Sequence, residues 1–275
     1  MKIVISAGHQ PDIDSGAIGQ GETEAQNNID RADRVVELLR FWGVDVDYMP
    51  NDVGDIVGEI NWANARYKSY DSAWAIQIHM NSGGGTGSEV WTYWDETQIT
   101  MATAISESLA KYTGLRKRGV KDQSKSRFGK LGWCADLKCA STLVECRFID
   151  VDNISPDADR IDAYAIAVGI CNYLGISIGL TPEEVEDQRL AKIEADNLFN
   201  QKLIEEQARA EELKKIEEAD IKLRAEEQAK IDEQKNNSTT EVPPQKIPAS
   251  NTSSLDWFKY LINIIVSCIK KLRRK

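Results

Sequence analysis

The stretch WAIQIHMNSGGGTGSEVW, residues 74–91, joins two apolar segments through a glycine-rich connection. Its first segment is rich in aromatic and β-branched residues, a composition typical of a buried strand, and the strand-like run ends near His79. The segment SEVW after the glycines has the composition of a second strand. The stretch therefore predicts two strands, with a histidine close to the point where the first strand meets its loop.

A second histidine occupies the same kind of position near the amino terminus. The segment KIVISAGH, residues 2–9, is another apolar run that breaks into glycine and histidine, and His9 and His79 are the two histidines of the chain. One histidine beside an apolar run is more often a hydrogen-bonded structural residue than a ligand. Because ligands bind at the carboxyl ends of strands in open α/β sheets, two histidines at such ends predict a functional site.

Strand-like and helix-like segments alternate over residues 1–178. The strand-like segments are KIVISAGH, VDVDYMP, AWAIQIHM, SEVWTYW and STLVECRFID. Helical periodicity marks EAQNNIDRADRVVELLRFW, ITMATAISESLAKYTGL and DADRIDAYAIAVGICNYLG, and the apolar face of the first of these is expected to pack on a sheet. The alternation predicts an α/β domain built on a single open sheet flanked by helices.

The overall composition limits the classes of partner. The chain has 275 residues, of which 41% are hydrophobic, enough for a sizeable core in one or two domains. Its net charge of -10 argues against a nucleic-acid partner, because phosphate binding needs clustered cations. The five cysteines contain no CxxC pair, so neither a disulfide framework nor a cysteine zinc site is expected. A strand starts at once, which predicts synthesis in the cytoplasm without a signal peptide.

After residue 178 the composition changes abruptly to charged residues. The segment TPEE predicts the start of a helix, with Thr181 as the N-cap, Pro182 at the first position and Glu184 closing a capping box. Acidic and basic residues four positions apart then recur without a glycine, which predicts a charged helix over 181–235. Its apolar positions do not keep a strict heptad. A coiled coil that forms a homo-oligomer and a single solvated spacer helix are therefore both open.

The last forty residues predict a linker and a basic tail. Residues 236–254 are mostly polar and include prolines, a composition typical of a flexible linker. Residues 255–275, LDWFKYLINIIVSCIKKLRRK, predict an amphipathic helix with a narrow polar stripe and a cluster of cations at its end. Its apolar part rises only ~22 Å, short of a ~30 Å hydrocarbon core. We expect it to lie on an anionic membrane; a short oligomeric span and a protein-docking helix are the alternatives.

The two histidines, together with a nearby carboxylate, match the ligand set of a catalytic zinc site. Zinc that activates water takes three protein ligands and keeps one position open, and imidazole nitrogen and carboxylate oxygen both suit it. His9 and His79 supply two ligands. The segment GQGETEAQNN, where the loop after His9 turns into the first helix, offers Glu24 and Glu22 as candidates for the third.

Three blocks of the sequence resemble a known family. KIVISAGHQPDIDSGAIGQGETEAQNN, IQIHMNSGGGTGSEVW and STLVECRFID are similar to the signature blocks of the type 3 N-acetylmuramoyl-L-alanine amidases, zinc enzymes of bacterial cell-wall turnover and of phage endolysins. The resemblance spans residues 2 to about 175. The resemblance implies zinc ligands at His9, Glu24 and His79, and so favours Glu24 over Glu22 as the third ligand. It also implies a catalytic glutamate at Glu145.

One residue departs from the pattern of this family. Strand alternation places Leu143, Glu145 and Arg147 on one face, and the family usually has a small residue at the position of Arg147. The cation is therefore expected to share the catalytic face, where it pairs with Glu145, binds a substrate carboxylate or bends into solvent. The basic segment LRKRGVKDQSKSRF, residues 115–128, is expected to form a loop that is either solvated or in contact with the anionic stem peptide or wall polymer.

These observations predict a zinc-dependent peptidoglycan amidase that acts on the cell wall during phage-induced lysis or wall turnover. The expected reaction is hydrolysis of the amide between N-acetylmuramic acid and L-alanine, with a carboxylate beside the metal-bound water as general base and then acid. Two alternatives belong to other classes. One is an inactive amidase-like protein that acts through its helix and tail, and the other is a zinc peptidase that cleaves stem peptides.

Overall fold

The computed structural model describes residues 1–237 of the 275-residue chain. Its first compact unit covers Met1–Arg189. The strands are β1 Lys2–Ala7, β2 Ile18–Gly19, β3 Glu22–Thr23, β4 Val46–Tyr48, β5 Ala73–Asn81, β6 Ser88–Thr92, β7 Lys117–Asp122 and β8 Ala140–Phe148. The helices are α1 Glu24–Phe41, α2 Ile56–Arg66, α3 Glu96–Thr113, α4 Gly132–Asp136, α5 Pro156–Tyr173 and α6 Pro182–Asn237.

Six of the strands form one open sheet in the order β4-β1-β5-β8-β6-β7. The neighbours are parallel except for β6 and β8, which run antiparallel. The carboxyl ends of β1, β5 and β8 therefore share one edge of the sheet. This architecture confirms the predicted α/β class with a single open sheet flanked by helices.

Helices cover both faces of the sheet, and strand alternation sends side chains to each in turn. The face covered by α1, α3 and α5, called here the α1/α5 face, holds the larger core, which includes Ile5, Ile76, Ile78, Val90 and Val144. The other face, called the α2/α4 face, packs a smaller core that includes Val4, Ala75, Trp133 and Leu143. Because α2 and α4 are short, they leave part of the second face open.

Two segments differ from the sequence-based expectations. Residues 117–122 of the predicted basic loop form β7, which pairs with β6 at the edge of the sheet. Its lysines and arginine are typical of an edge strand that must not pair further. Helix α2 was not predicted, and Asp55 caps it by accepting hydrogen bonds from the backbone N–H groups of Val57 and Gly58.

A β-bulge in β8 makes the predicted orientation of Arg147 wrong. His79 pairs with Glu145 in the register of β5 and β8, but Asn81 pairs with Phe148, so β8 contains one extra residue. The extra residue interrupts the alternation of side chains. Arg147 points to the α1/α5 face, where its Nε and Nη2 atoms donate to Asp162 Oδ2 and Oδ1 at 2.6 Å and 2.5 Å. It therefore contacts neither Glu145 nor solvent.

Helix α6 begins with the capping box that the sequence indicates. The backbone N–H of Thr181 donates to Glu184 Oε2 at 2.7 Å, and that of Glu184 donates to Thr181 Oγ1 at 3.2 Å. From residue 190 onward the helix carries exposed ion pairs four residues apart, such as Lys215 with Glu211 at 3.3 Å. No helix within residues 1–237 is long and apolar enough to cross a membrane. The predicted tail, and all but the start of the predicted linker, lie outside the described residues.

Candidate metal centre

Three side chains from separate elements meet at the carboxyl edge of β1 and β5. His9 follows β1, His79 lies in β5, and Glu24 is the first residue of α1. One ligand atom from each of the three lies within 4.8 Å of the others. Glu24 Oε2 is 3.4 Å from His9 Nε2, and Glu24 Oε1 is 2.9 Å from His79 Nδ1. The structure thus brings together the three residues that the sequence predicts as metal ligands.

Glu22, the competing candidate from the same loop, lies outside this group. Its Oε2 atom accepts a hydrogen bond from Asn27 Nδ2 at 2.7 Å. The strand pair β2 and β3 places Glu22 before Thr23, whose hydroxyl caps α1. Only Glu24, one residue into the helix, turns toward the two histidines. The choice between the two glutamates is therefore made by the position at which α1 starts.

Backbone N–H groups hold the Glu24 carboxylate. Oε2 accepts from Ala17 N at 2.9 Å and Oε1 accepts from Met80 N at 3.0 Å. Burial alone would raise the pKa of Glu24, but the hydrogen bonds and charges of His79 and His9 lower it well below its usual range. Glu24 is therefore an ionised, fixed carboxylate with both oxygens turned toward the histidines.

His9 is held in a strained backbone conformation with its outer nitrogen occupied. Its φ is 63°, in the left-handed region that non-glycine residues rarely adopt. Its Nδ1 lies 2.7 Å from Asp14 Oδ2. Burial lowers the pKa of His9, but hydrogen bonds and charges from Glu24 and Asp14 outweigh that effect and raise it to about 9. Both ring nitrogens thus face carboxylates, a setting that favours a cation at this point.

Two glycines provide the space in which the three ligands meet. A Cβ atom on Gly8 would lie 2.2 Å from Cε1 and Nε2 of the His79 ring. A Cβ atom on Gly16, whose φ is +66°, would lie 2.7 Å from both Glu24 Oε2 and His9 Cδ2. Any side chain at either position would displace a ligand. The two imidazole rings meet edge to face, with centroids 4.9 Å apart.

Glu145 stands beside this group on the neighbouring strand. It is the register partner of His79, and its Oε2 atom is buried without a hydrogen-bond partner. Burial, with smaller contributions from the charges of Glu24 and Glu89, raises the pKa of Glu145 to about 8. A carboxyl group with unsatisfied bonding capacity and a pKa near neutrality is suited to proton transfer.

A further buried glutamate, Glu89, anchors part of the basic segment. Glu89 of β6 is the other register partner of Glu145. Its oxygens accept from Asn81 Nδ2 at 2.9 Å, Arg118 Nε at 2.5 Å and Lys121 Nζ at 2.7 Å. Two cations of the basic segment are therefore bound to a carboxylate beside the site. The sequence did not indicate this contact, because 29 positions separate Arg118 from Glu89.

An open cleft of about 310 Å³ reaches the histidines from the α2/α4 face. Its lining includes His9, Gln77, His79, Phe128, Trp133 and Leu143. Phe128 is exposed over 69% of its surface, although it is a large apolar side chain. A cleft of this size, with apolar walls and a few polar groups, is typical of a small-molecule site.

The donor set fits a zinc ion. The two nitrogens that face Glu24 are His9 Nε2 and His79 Nδ1, while the other nitrogens face oxygen atoms of Asp14 and Gln77. Two imidazoles with one carboxylate is the ligand set of several catalytic zinc sites, and outer partners of this kind fix ligand orientation. The adjoining cleft provides access for substrate.

A family model described as N-acetylmuramoyl-L-alanine amidase matches residues 3–172. No curated protein matches the chain. Among solved structures, the catalytic domain of the amidase CwlV from Paenibacillus polymyxa has 23% identity and a TM-score of 0.54, covering 64% of this chain and 99% of that one.

Two further structures are similar. The catalytic domain of an endolysin targeting Clostridia difficile has 25% identity and a TM-score of 0.53, covering 65% of this chain and 99% of that one. An N-acetylmuramoyl-L-alanine amidase of Nostoc punctiforme has 23% identity and a TM-score of 0.53, covering 64% and 97%. The two structures at 23% identity establish a shared fold. In all three the similarity covers nearly the whole of the relative's chain.

Proposed function

The chain belongs to the N-acetylmuramoyl-L-alanine amidase family, and from this membership we propose that it hydrolyses peptidoglycan in a zinc-dependent reaction. The bond cleaved is the amide between the lactyl group of N-acetylmuramic acid and L-alanine. The observation that carries the proposal is the meeting of His9, Glu24 and His79 beside the unpaired carboxyl oxygen of Glu145.

In this proposal His9 Nε2, His79 Nδ1 and the Glu24 carboxylate hold the metal. Zinc held there would supply a Lewis acid, which would lower the pKa of water to ~7 and polarise the carbonyl of the scissile amide. The ionised state of Glu24, its two backbone hydrogen bonds and the occupied outer nitrogens of the histidines all support a preformed ligand set.

Glu145 is the proposed acid and base. As a carboxylate it takes a proton from the attacking water, and as a carboxylic acid it delivers a proton to the leaving nitrogen of L-alanine. The carbon–nitrogen bond breaks, giving the carboxylate of the lactyl group and a free amino terminus. Burial and the absence of a partner for Oε2 support this role, because the group changes protonation state near neutral pH.

We place the sugar end of the substrate in the 310 Å³ cleft. Phe128 and Ile13, both exposed, form an apolar rim to which the nonpolar face of a sugar ring can bind. On the other side of Glu145 the cations of Arg118 and Lys121 outnumber the one Glu89 carboxylate that they contact. That excess positive charge suits the anionic stem peptide.

The biological setting that we propose is phage-induced lysis or cell-wall turnover. The charged helix would act as a spacer or as a coiled coil that forms a homo-oligomer, and the basic tail 255–275 would bind an anionic membrane. The similarity to an endolysin catalytic domain supports the lytic setting. The exposed ion pairs of α6 support a solvated helix.

Digestion of purified peptidoglycan by the zinc-loaded full chain tests the activity. An amidase releases new L-alanine amino termini without new reducing sugars. A zinc peptidase would instead release amino termini of other residues of the stem peptide, and an inactive interaction protein would release none. Either of the last two products would overturn the proposal.

A further inference from the structure

A buried chain of hydrogen bonds continues outward from the candidate metal centre through His79. Gln77 lies two residues before His79 in β5, so both side chains point to the α2/α4 face. Gln77 Oε1 lies 3.0 Å from His79 Nε2, and Gln77 Nε2 donates to Glu59 Oε2 at 2.7 Å. Gln77 is 2% exposed and Glu59, on α2, is 4% exposed. The three side chains thus form a continuous series.

The hydrogen bonds of this series run in one direction, from donor to acceptor, toward Glu59. An ionised carboxylate only accepts hydrogen bonds, so Glu59 selects the amide nitrogen of Gln77 as its partner and turns the amide oxygen toward His79. An oxygen at that position requires His79 Nε2 to donate. The hydrogen bond to Gln77 therefore fixes a proton on Nε2. Nδ1 is then the nitrogen available to a metal, and zinc would replace the hydrogen bond of 2.9 Å that Nδ1 makes with Glu24 Oε1.

We propose that Glu59 and Gln77 are positioning residues that fix the tautomer and ring orientation of His79 for zinc binding through Nδ1. The inference rests on the proposed zinc-dependent function and deepens it. A ligand histidine whose outer N–H binds an oxygen acceptor is a better oriented and more basic ligand. His9 has the equivalent partner in Asp14, but that carboxylate is exposed over 64% of its side chain. The two outer residues of the His79 series, Gln77 and Glu59, are both buried, and the series reaches a second element, α2.

The competing explanation is that the Glu59–Gln77 contact only holds α2 against the sheet. In that case its loss would lower the free energy of unfolding without changing the metal affinity of the folded protein. Zinc affinity separates the two explanations. It should be measured on the full chain by competition with a chelator at pH 8, above the value of about 7 to which burial raises the pKa of Glu59.

The first variant is Gln77→Met, which keeps the length of the side chain and removes the acceptor. We expect zinc to bind ~10–100-fold more weakly, the usual cost of losing an outer partner of a ligand. The matched control is Gln98→Met. Gln98 lies in α3, away from the histidines, and is also buried, at 5% exposed. Its Oε1 atom accepts a hydrogen bond from the backbone N–H of Ser141 at 2.7 Å. Its zinc affinity should equal that of the unaltered chain.

An exchange of the two side chains provides a rescue. Glu59→Met alone removes the group that orients Gln77 and should weaken zinc binding. In the double variant Glu59→Gln with Gln77→Glu, the carboxylate at position 77 accepts a hydrogen bond from His79, and the amide at position 59 donates one to that carboxylate. The zinc affinity should therefore return toward that of the unaltered chain. A double variant as weak as Glu59→Met, with an intact fold by circular dichroism, would overturn the directional argument.

A spectroscopic signature completes the test. In the zinc-loaded, ¹⁵N-labelled full chain, the imidazole proton of His79 should reside on Nε2 and exchange slowly with water, and Gln77→Met should abolish that protection. A proton on Nδ1 would overturn the inference. If the unaltered chain binds no zinc, the proposed function fails; if it binds zinc and the variants bind equally well, only the positioning role fails.

Discussion

His79 of β5 and Glu145 of β8 are register partners on adjacent parallel strands, and both side chains point to the α2/α4 face. Neighbouring strands lie only ~4.8 Å apart, so a side chain of each must lie beside the other. The backbone of the sheet, rather than a loop, therefore sets the spacing between the proposed metal ligand and the proposed acid and base.

Replacing Glu145 with glutamine should separate catalysis from metal binding. We expect Glu145→Gln to keep its zinc and to lose ~10²–10⁴-fold in kcat, because the amide has nearly the same shape but exchanges no proton. Zinc content by atomic absorption and release of L-alanine amino termini measure the two effects. Loss of zinc in this variant would make Glu145 a ligand and change the assigned roles.

The ligand assignment predicts different outcomes for two glutamates of one loop. Glu24→Ala and His79→Ala should both lose zinc and activity, because each removes one of three ligands. Glu22→Ala is the matched control and should retain both, since Glu22 contacts Asn27 instead of the histidines. Metal analysis of the purified variants checks this. A zinc-loaded Glu24→Ala would contradict the proposed site.

Asp162 should be required for stability and not for catalysis. Its carboxylate lies between two buried cations, Arg31 and Arg147, which it contacts at 3.0 Å and 2.5 Å. Asp162→Ala removes the carboxylate partner of Arg147 and leaves Arg31 with Asp159 alone, at 2.6 Å, so it should cost about 3–5 kcal/mol in free energy of unfolding. Asp157→Ala, which removes an exposed carboxylate from the same helix, should cost less than ~1 kcal/mol in urea unfolding. An equal loss of unfolding free energy in the two variants would show that the buried arginines do not need the Asp162 carboxylate.

The Glu59 carboxyl group should make stability depend on pH. Burial raises its pKa on folding from 4.5 to about 7, so the group favours the folded state while protonated. That contribution is complete below pH 4.5 and is lost as the pH rises through 7. Glu59→Gln does not titrate, so relative to the unaltered metal-free chain it should gain up to about 3 kcal/mol between pH 4.5 and 8. A difference in urea unfolding that stays constant with pH would contradict this.

Residues 1–178 contain every proposed site residue and should fold and act alone, and the start of α6 adds to the stability of this domain. Val185 is 1% exposed within the α1/α5 core, and Arg189 contacts Glu37 of α1 at 2.9 Å. A chain ending at residue 189 should therefore be more stable than one ending at residue 178 by about 2 kcal/mol, the value of burying one valine. Urea unfolding compares the two.

Both shortened chains should still release L-alanine amino termini in peptidoglycan, because the proposed site lies within residues 9–145. A chain ending at residue 189 that is folded and zinc-loaded but inert on every wall tested would assign part of the enzyme to the spacer or the tail. Equal stability of the two chains would show that the first turns of α6 contribute nothing to the core.

Local patterns in the sequence were enough to predict the class of fold and the two histidines of the candidate metal centre. Periods of two and 3.6 residues mark strands and helices, and apolar runs that end in His9 and His79 mark strand ends. Parallel strands bring their carboxyl ends to one edge, so the two histidines had to approach each other once β1 and β5 were neighbours. The family resemblance then selected Glu24.

Only the tertiary structure decided which side chains surround these groups. Arg147 faces Asp162 because β8 bulges against β5, and a bulge depends on the register between two strands rather than on either strand's sequence. Gln77 and Glu59 meet because α2 packs over β5 across 18 positions of chain. Hydrogen bonds between distant segments follow from the packing of the whole domain, so local periodicity in the sequence does not predict them.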